Sequence, residues 1–227
     1  MSNLFQEILY RPIFNLLAFL YDIVPGNDLG VAIIILTLLI KFVFLPLSLK
    51  VVRSQKEMQV IQPKLKELQE RHKNNKQALA QATMELYKEH NVNPLSGCFP
   101  LLVQLPILIA VYRVLVNGLH PEMFNLLYNF IPAPEQINQI AFGFLDLSVK
   151  NPILAIVSGV FQFVQMRRST QASGGGTDQA AMMSKQMAYF MPIMITVIAW
   201  NLPAGLVLYW TVNTVFSIFE YTFVNKK

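Results

Sequence analysis

The sequence predicts an all-α, polytopic membrane protein with five spanning helices, a cytoplasmic helical hairpin and an N-terminal interfacial helix. Three observations carry that expectation. Hydrophobic residues make up 54% of the 227 and charged residues only 14%, against about 25% charged in soluble domains. Five apolar runs approach the roughly 20 residues that a helix needs to cross about 30 Å of hydrocarbon. Half of the Lys and Arg, nine of 18, fall in one stretch, 50–96.

The first span is 29–49, with one charge, Lys41. Fifteen of its residues are Leu, Ile, Val or Phe. Together they favour insertion by about 4.5–9 kcal/mol, against about 3 kcal/mol for a central lysine. The second, 98–116, is apolar apart from Gln104 and Arg113. The third, 152–166, is short and stops at Arg167-Arg168. The fourth and fifth, 186–202 and 206–224, are separated only by Pro203-Ala204-Gly205, a turn signal that makes them an antiparallel hairpin.

Lys and Arg in loops set orientation. The basic 50–96 segment, the 167–186 loop (Arg167, Arg168, Lys185) and the tail Lys226-Lys227 share one side. Arg11 and Lys150 are on the other. The basic side is therefore cytoplasmic, with the N-terminus outside and the C-terminus inside. Residues 1–28 are the ambiguous segment. Their best apolar run, 12–24, is about 13 residues long and contains Asn15 and Asp22, which suits an interfacial helix. A sixth span would move the N-terminus inside and leave the other loops in place. The basic start and small-residue cleavage site of a signal peptide are not seen.

Residues 50–92 form a helical hairpin by pattern. Met58, Ile61, Leu65 and Leu68 recur at helical spacing, as do Leu79, Met84, Leu86 and Tyr87. Lys73-Asn74-Asn75-Lys76 is the expected turn, and Pro63 should kink the first arm or mark a boundary. Nine basic and five acidic residues suit a positive loop on anionic headgroups. They also suit a docking surface for nascent chains or targeting partners, with Arg53, Lys56, Lys64, Lys66 and Arg71 as its cations. The outer loop, 117–151, mixes polar residues with Phe124, Leu126, Leu127, Phe130 and 142–145, and is expected to rest on outer headgroups. Residues 173–177 are a glycine-rich linker; no Gly-Lys-Ser/Thr follows to make a phosphate cradle.

Ionisable residues inside spans mark function by default. Lys41 sits near mid-depth, where it either snorkels to the cytoplasmic face or faces a wet cavity as a cation able to hold acidic or polar groups. Thr37, one turn earlier, shares its face. Gln104, Gln162, Gln165, Asn213 and Thr214 occupy other spans, as interhelical glue or as cavity lining. Tyr209-Trp210 fits an aromatic belt or a cavity wall. The lone Cys98 excludes an intramolecular disulfide. The histidines, His72, His90 and His120, are too scattered for a metal site. An intramembrane hydrolase lacks its base: Ser158 lies in a span, but no His does, and there is no HExxH. A small-solute transporter would favour matching halves with broken helices, which are absent from the pattern.

Asn93-Pro94-Leu95-Ser96-Gly97-Cys98-Phe99-Pro100-Leu101-Leu102, running into Gln104-Leu105-Pro106-Ile107, closely resembles the start of the second conserved span of the YidC/Oxa/Alb insertase family. Leu202-Pro203-Ala204-Gly205-Leu206-Val207-Leu208-Tyr209-Trp210 resembles its last hairpin. Asp146-Leu147-Ser148 and Gln62-Pro63-Lys64 also match, and the resemblance runs in order from about 29 to 224. It implies a five-helix core around a hydrophilic groove open to cytoplasm and lipid, which takes nascent hydrophobic segments into the bilayer without nucleotide hydrolysis or cofactor. Lys41 falls where the family places a positive groove residue, usually Arg in bacterial members; lysine keeps the charge but loses the bidentate fork. Gln165 and Trp210 fall among expected groove-lining positions, with Tyr209 beside them.

The implied partners are nascent membrane proteins and lipid, extending to the ribosome, the signal-recognition-particle receptor and the Sec translocon; no direct nucleic-acid site is expected. The resemblance is to the compact bacterial form, without a large extracytoplasmic domain. The chain stops at Asn225-Lys226-Lys227 without a long basic tail, so ribosome contact is expected from the hairpin and the 167–186 loop. No Arg/Ser-rich transit peptide precedes the core, and the expected location is the bacterial cytoplasmic membrane.

Overall fold

The computed structural model describes residues 3–90, 99–118, 121–134, 137–170 and 179–225. Motif residues 93–98, His120, the linker at 173–177 and Lys226-Lys227 lie outside the described residues. The described residues are mostly helical. The chain opens with α1 (Asn3–Phe5), a π-helical turn (Gln6–Tyr10) and α2 (Arg11–Ile23). Then come α3 (Leu29–Arg71), α4 (Lys76–Glu89) and α5 (Phe99–Arg113), which runs into a π-helical turn. A short antiparallel pair, β1 (Ile140–Ala141) and β2 (Leu145–Asp146), precedes α6 (Pro152–Thr170), α7 (Gln179–Trp200) and α8 (Ala204–Asn225).

The first span and the first arm of the hairpin form one 43-residue helix. Pro46 and Pro63 both lie inside it, so Pro63 marks no boundary. The chain reverses instead at 72–75, where the Asn75 side chain caps α4 by accepting from the Ala78 amide at 3.1 Å. At 1.5 Å per residue, α6, α7 and α8, with 19, 22 and 22 residues, are about 29–33 Å long. By length and apolar composition together, one described helix, α3, is sufficient to cross a bilayer; Val103–Asn117 and Tyr189–Trp200 are shorter apolar stretches. Gln162 and Gln165 in α6, and Asn213 and Glu220 in α8, dilute the apolar character of helices that have the length.

The turn between α7 and α8 also differs from expectation. Ala204 and Gly205 already belong to α8, and the reversal is made by 201–203. The amides of Ala204 and Gly205, unpaired donors at a helix start, donate to the carbonyls of Val149 (2.8 Å) and Leu147 (2.9 Å) in the outer loop. Beyond the turn, α7 and α8 do not form a closely packed pair: α6 lies against both. Its Ala155, Ser158 and Gly159 occupy one helical face, and small residues permit close helix approach. Ala155 packs with Ala199 and Val207, while Gly159 faces Thr196 of α7.

The main core joins α2, α3, α5, α8 and the outer loop through Phe14, Leu17, Ile33, Leu36, Val111 and Leu206. The N-terminal helix is two-faced: Ile13, Phe14, Leu17 and Tyr21 are buried, while Phe19, Asp22 and Ile23 are exposed. Its Asn15 clamps the outer loop, donating to the Leu126 carbonyl (3.1 Å) and accepting from the Tyr128 amide (2.6 Å). Asp28 caps α3 by accepting from Val31 at 3.0 Å and also accepts from the Phe142 amide. In the segment after α5, Leu127, Ile131, Ala141 and Leu147 are buried and belong to the main core. Ser148 donates to Asp146 from both amide and hydroxyl, holding that carboxyl below the usual carboxylate range.

Candidate functional site

Three polar contacts between helices lie along α8. At the end nearer the outer loop, Gln104 Nε2 of α5 donates to Tyr209 Oη at 2.9 Å. About a turn and a half further along α8, Thr214 Oγ1 donates to Gln162 Oε1 of α6 at 3.3 Å. The third contact carries charge. Lys41 Nζ of α3 donates to Ser217 Oγ at 2.7 Å and to Glu220 Oε2 at 3.2 Å, and lies 5.6 Å from the centre of the Phe216 ring. Ser48 Oγ donates to the other oxygen of Glu220. One carboxylate thus bridges residues seven apart on α3.

Both partners are withdrawn from the surface: the Lys41 side chain is 13% exposed and that of Glu220 4%. Lys41, expected as a cation able to hold acidic or polar groups, already holds Glu220 of its own chain, which neutralises it. Beyond the pair, Gln59 Nε2 donates to Tyr221 Oη at 2.7 Å, and Arg168 donates to Thr222. Lys56 reaches the Val224 carbonyl at 3.4 Å. A polar seam therefore runs down α3 and α8 toward their shared end.

The other sequence-derived positions are placed as follows. Thr37 is buried, its hydroxyl donating to the Ile33 carbonyl of its own helix at 2.6 Å. Tyr209 is buried; Gln165 and Trp210 are half-buried. Arg53, Lys64 and Arg71 are exposed on the hairpin and Lys66 is half-buried, with Lys64 Nζ 2.9 Å from His90 Nε2.

Glu220 is the residue that reading the sequence missed. The signal was present: a carboxylate inside an apolar run marks function as much as a lysine does. Ser48 and Ser217 carry no such signal, since hydroxyls are common inside helices.

Apolar helix exteriors, with Ile153, Ile156, Val160, Phe190, Ile193 and Val197 exposed, around an interior ion pair define a helical integral membrane protein. The chain matches the 60Kd inner membrane protein family over residues 19–227 and belongs to that family. A membrane protein insertase YidC of Fusobacterium nucleatum is 38% identical over 225 residues, covering 98% of this chain and 99% of that protein. The YidC insertase of Oceanobacillus iheyensis is 38% identical, covering 87% of this chain and 74% of the relative. That of Citrifermentans bemidjiense is also 38% identical, but this chain spans only 36% of its length. A crystal structure of an active YidC insertase, with its first transmembrane domain resolved, shares the fold. Its TM-score is 0.62 at 22% identity, over 94% of this chain and 45% of that one.

Proposed function

We propose that this chain is a membrane protein insertase of the bacterial cytoplasmic membrane that takes nascent hydrophobic segments from the cytoplasm into the bilayer. In this reading five helices span the membrane, with the N-terminus outside, α2 in the outer interface and the C-terminus inside. The observation that carries it is the polar seam of α8, with its buried Lys41–Glu220 pair, inside a bundle whose outward residues are apolar. Exposed large apolar residues on one helix after another, as in α6 and α7, suit a lipid-facing exterior, and a purely structural bundle has little use for an interior ion pair.

A client approaches with a short polar flank beside its apolar segment. The seam supplies hydroxyls, amides and a paired cation, which lower the cost of placing polar atoms at membrane depth. Lys41, Thr37, Gln104, Gln162, Gln165, Tyr209 and Trp210 form the groove in this reading, and Glu220 joins them. The apolar segment partitions into lipid, gaining about 25 cal/mol per Å² of apolar surface removed from water. For an acidic flank moving outward, the membrane potential adds about 2.3 kcal/mol per charge per 100 mV. No nucleotide or cofactor enters the scheme. The exposed cations of the α3–α4 hairpin, Arg53, Lys64 and Arg71, provide a docking face for the ribosome, the signal-recognition-particle receptor or a Sec channel.

The test uses purified protein in sealed liposomes with a freshly synthesised single-span client. Protease protection of the translocated tail is scored for wild type, Lys41→Ala and Lys41→Arg. Wild type should protect the tail well above empty liposomes, and Lys41→Ala should lose most of that gain. Lys41→Arg should retain a substantial share. Protection by wild type no better than by empty liposomes would sink the reading for the chain acting alone.

A further inference from the structure

The interior lysine is already occupied, and its occupant has the chemistry of an acidic client. We propose that Glu220 is a specificity-determining residue: an internal carboxylate that competes for Lys41 and disfavours clients whose entering flank is acidic. This rests on the insertase reading above and adds to it which flanks the site accepts.

Glu220 is held in place by more than charge. One oxygen lies 3.2 Å from Lys41 Nζ, the other accepts from Ser48, and Ser217 shares the ammonium at 2.7 Å. The carboxylate is the more deeply buried partner. A client aspartate that captured Lys41 would strand Glu220 without its cation in a poorly solvated place, which is costly for any buried charge. Glu220 is also covalently attached, so its effective concentration at Lys41 greatly exceeds that of a passing client. A neutral polar flank meets no such competition. Serine, asparagine or backbone groups can share the Ser48 and Ser217 hydroxyls and the remaining ammonium hydrogen while the pair stays closed. The site is electrically neutral as folded, and neutral flanks suit it.

The experiment compares two single-span clients that differ only in the translocated flank, two Asp against two Asn. Insertion is measured by protease protection in sealed liposomes without a membrane potential, with spontaneous insertion into empty liposomes subtracted. The readout is the ratio of acidic to neutral client inserted. Wild type should give a low ratio, and Glu220→Gln should raise it several-fold by freeing the cation. Lys41→Gln combined with Glu220→Gln should bring it back down. Glu220→Asp, which keeps the charge, should hold the ratio well below that of Glu220→Gln, so that a rise in Glu220→Gln reports the lost charge. A ratio unchanged in Glu220→Gln, or raised equally in the double variant, overturns the proposal. So does a wild-type protein that inserts the acidic client at least as well as the neutral one. The neutral client alone, wild type against empty liposomes, tests the insertase reading separately.

Discussion

At the scale of single residues, the decisive feature is a pair whose members lie 179 positions apart. Breaking a buried ion pair leaves an uncompensated charge and is strongly destabilising, whereas replacing both members by apolar residues of similar volume is often neutral or better. Lys41→Met and Glu220→Leu should each, made singly, therefore cost about 3 kcal/mol. Lys41→Met with Glu220→Leu should recover most of that loss. Detergent-micelle unfolding titrated with dodecyl sulfate, read as a double-mutant cycle, checks this; additive losses would show that the two side chains do not depend on one another. Lys41 was legible because a lone cation in an apolar run of 21 residues has few bland explanations. Glu220 obeys the same rule, but its partner could not be read, since helical spacing says which residues share a face and not which faces meet.

At the scale of elements, the physics lies in how closely helices approach. α6 separates α7 from α8 because its inward face carries Ala155, Ser158 and Gly159. A Cβ at Gly159 would overlap Thr196 Oγ1, whose hydroxyl is itself tied to the Pro192 carbonyl at 2.8 Å. Gly159→Ala should thus destabilise the α6–α7 contact by about 1–3 kcal/mol, the usual cost of overpacking. Adding Thr196→Ala should relieve most of it. Unfolding of the two single variants and the double variant in the same titration measures the relief, and no recovery in the double variant would place the strain elsewhere. The three-residue interruption between apolar runs, Pro203-Ala204-Gly205, was a sound signal for a reversal. It could not reveal the wedge, because the small face of α6 looks like any other Ser/Gly-containing apolar stretch. The unbroken passage of α3 through Pro63 was equally hidden: proline removes one intrahelical bond, and a long helix with packing on either side can absorb that loss.

At the scale of the whole molecule, the hydrophobic packing divides into unequal units. The large core ties α2, α3, α5, α8 and the outer loop together. The hairpin has its own small cluster of Ile61, Leu65 and Leu86, flanked by Met58, Leu68 and Tyr87. α4 packs on α3, so its stability should be local. Ile61→Ala, a change that typically costs 2–5 kcal/mol, or about that in a well-packed core, should accelerate amide hydrogen exchange across α4 while leaving α8 protected. Equal acceleration in α8 would show one cooperative unit instead of two.

The sequence alone determined the helical class and the family, because hydrophobic run length and several ordered motifs are local properties of the chain. Tertiary structure alone decided that Lys41 is paired, that α6 stands between α7 and α8, and that the outer loop is pinned by α2 and the start of α8. Each of these depends on which helix faces come together. That choice is set by the fit of small residues, caps and buried partners across the whole bundle, and no window along the sequence contains it.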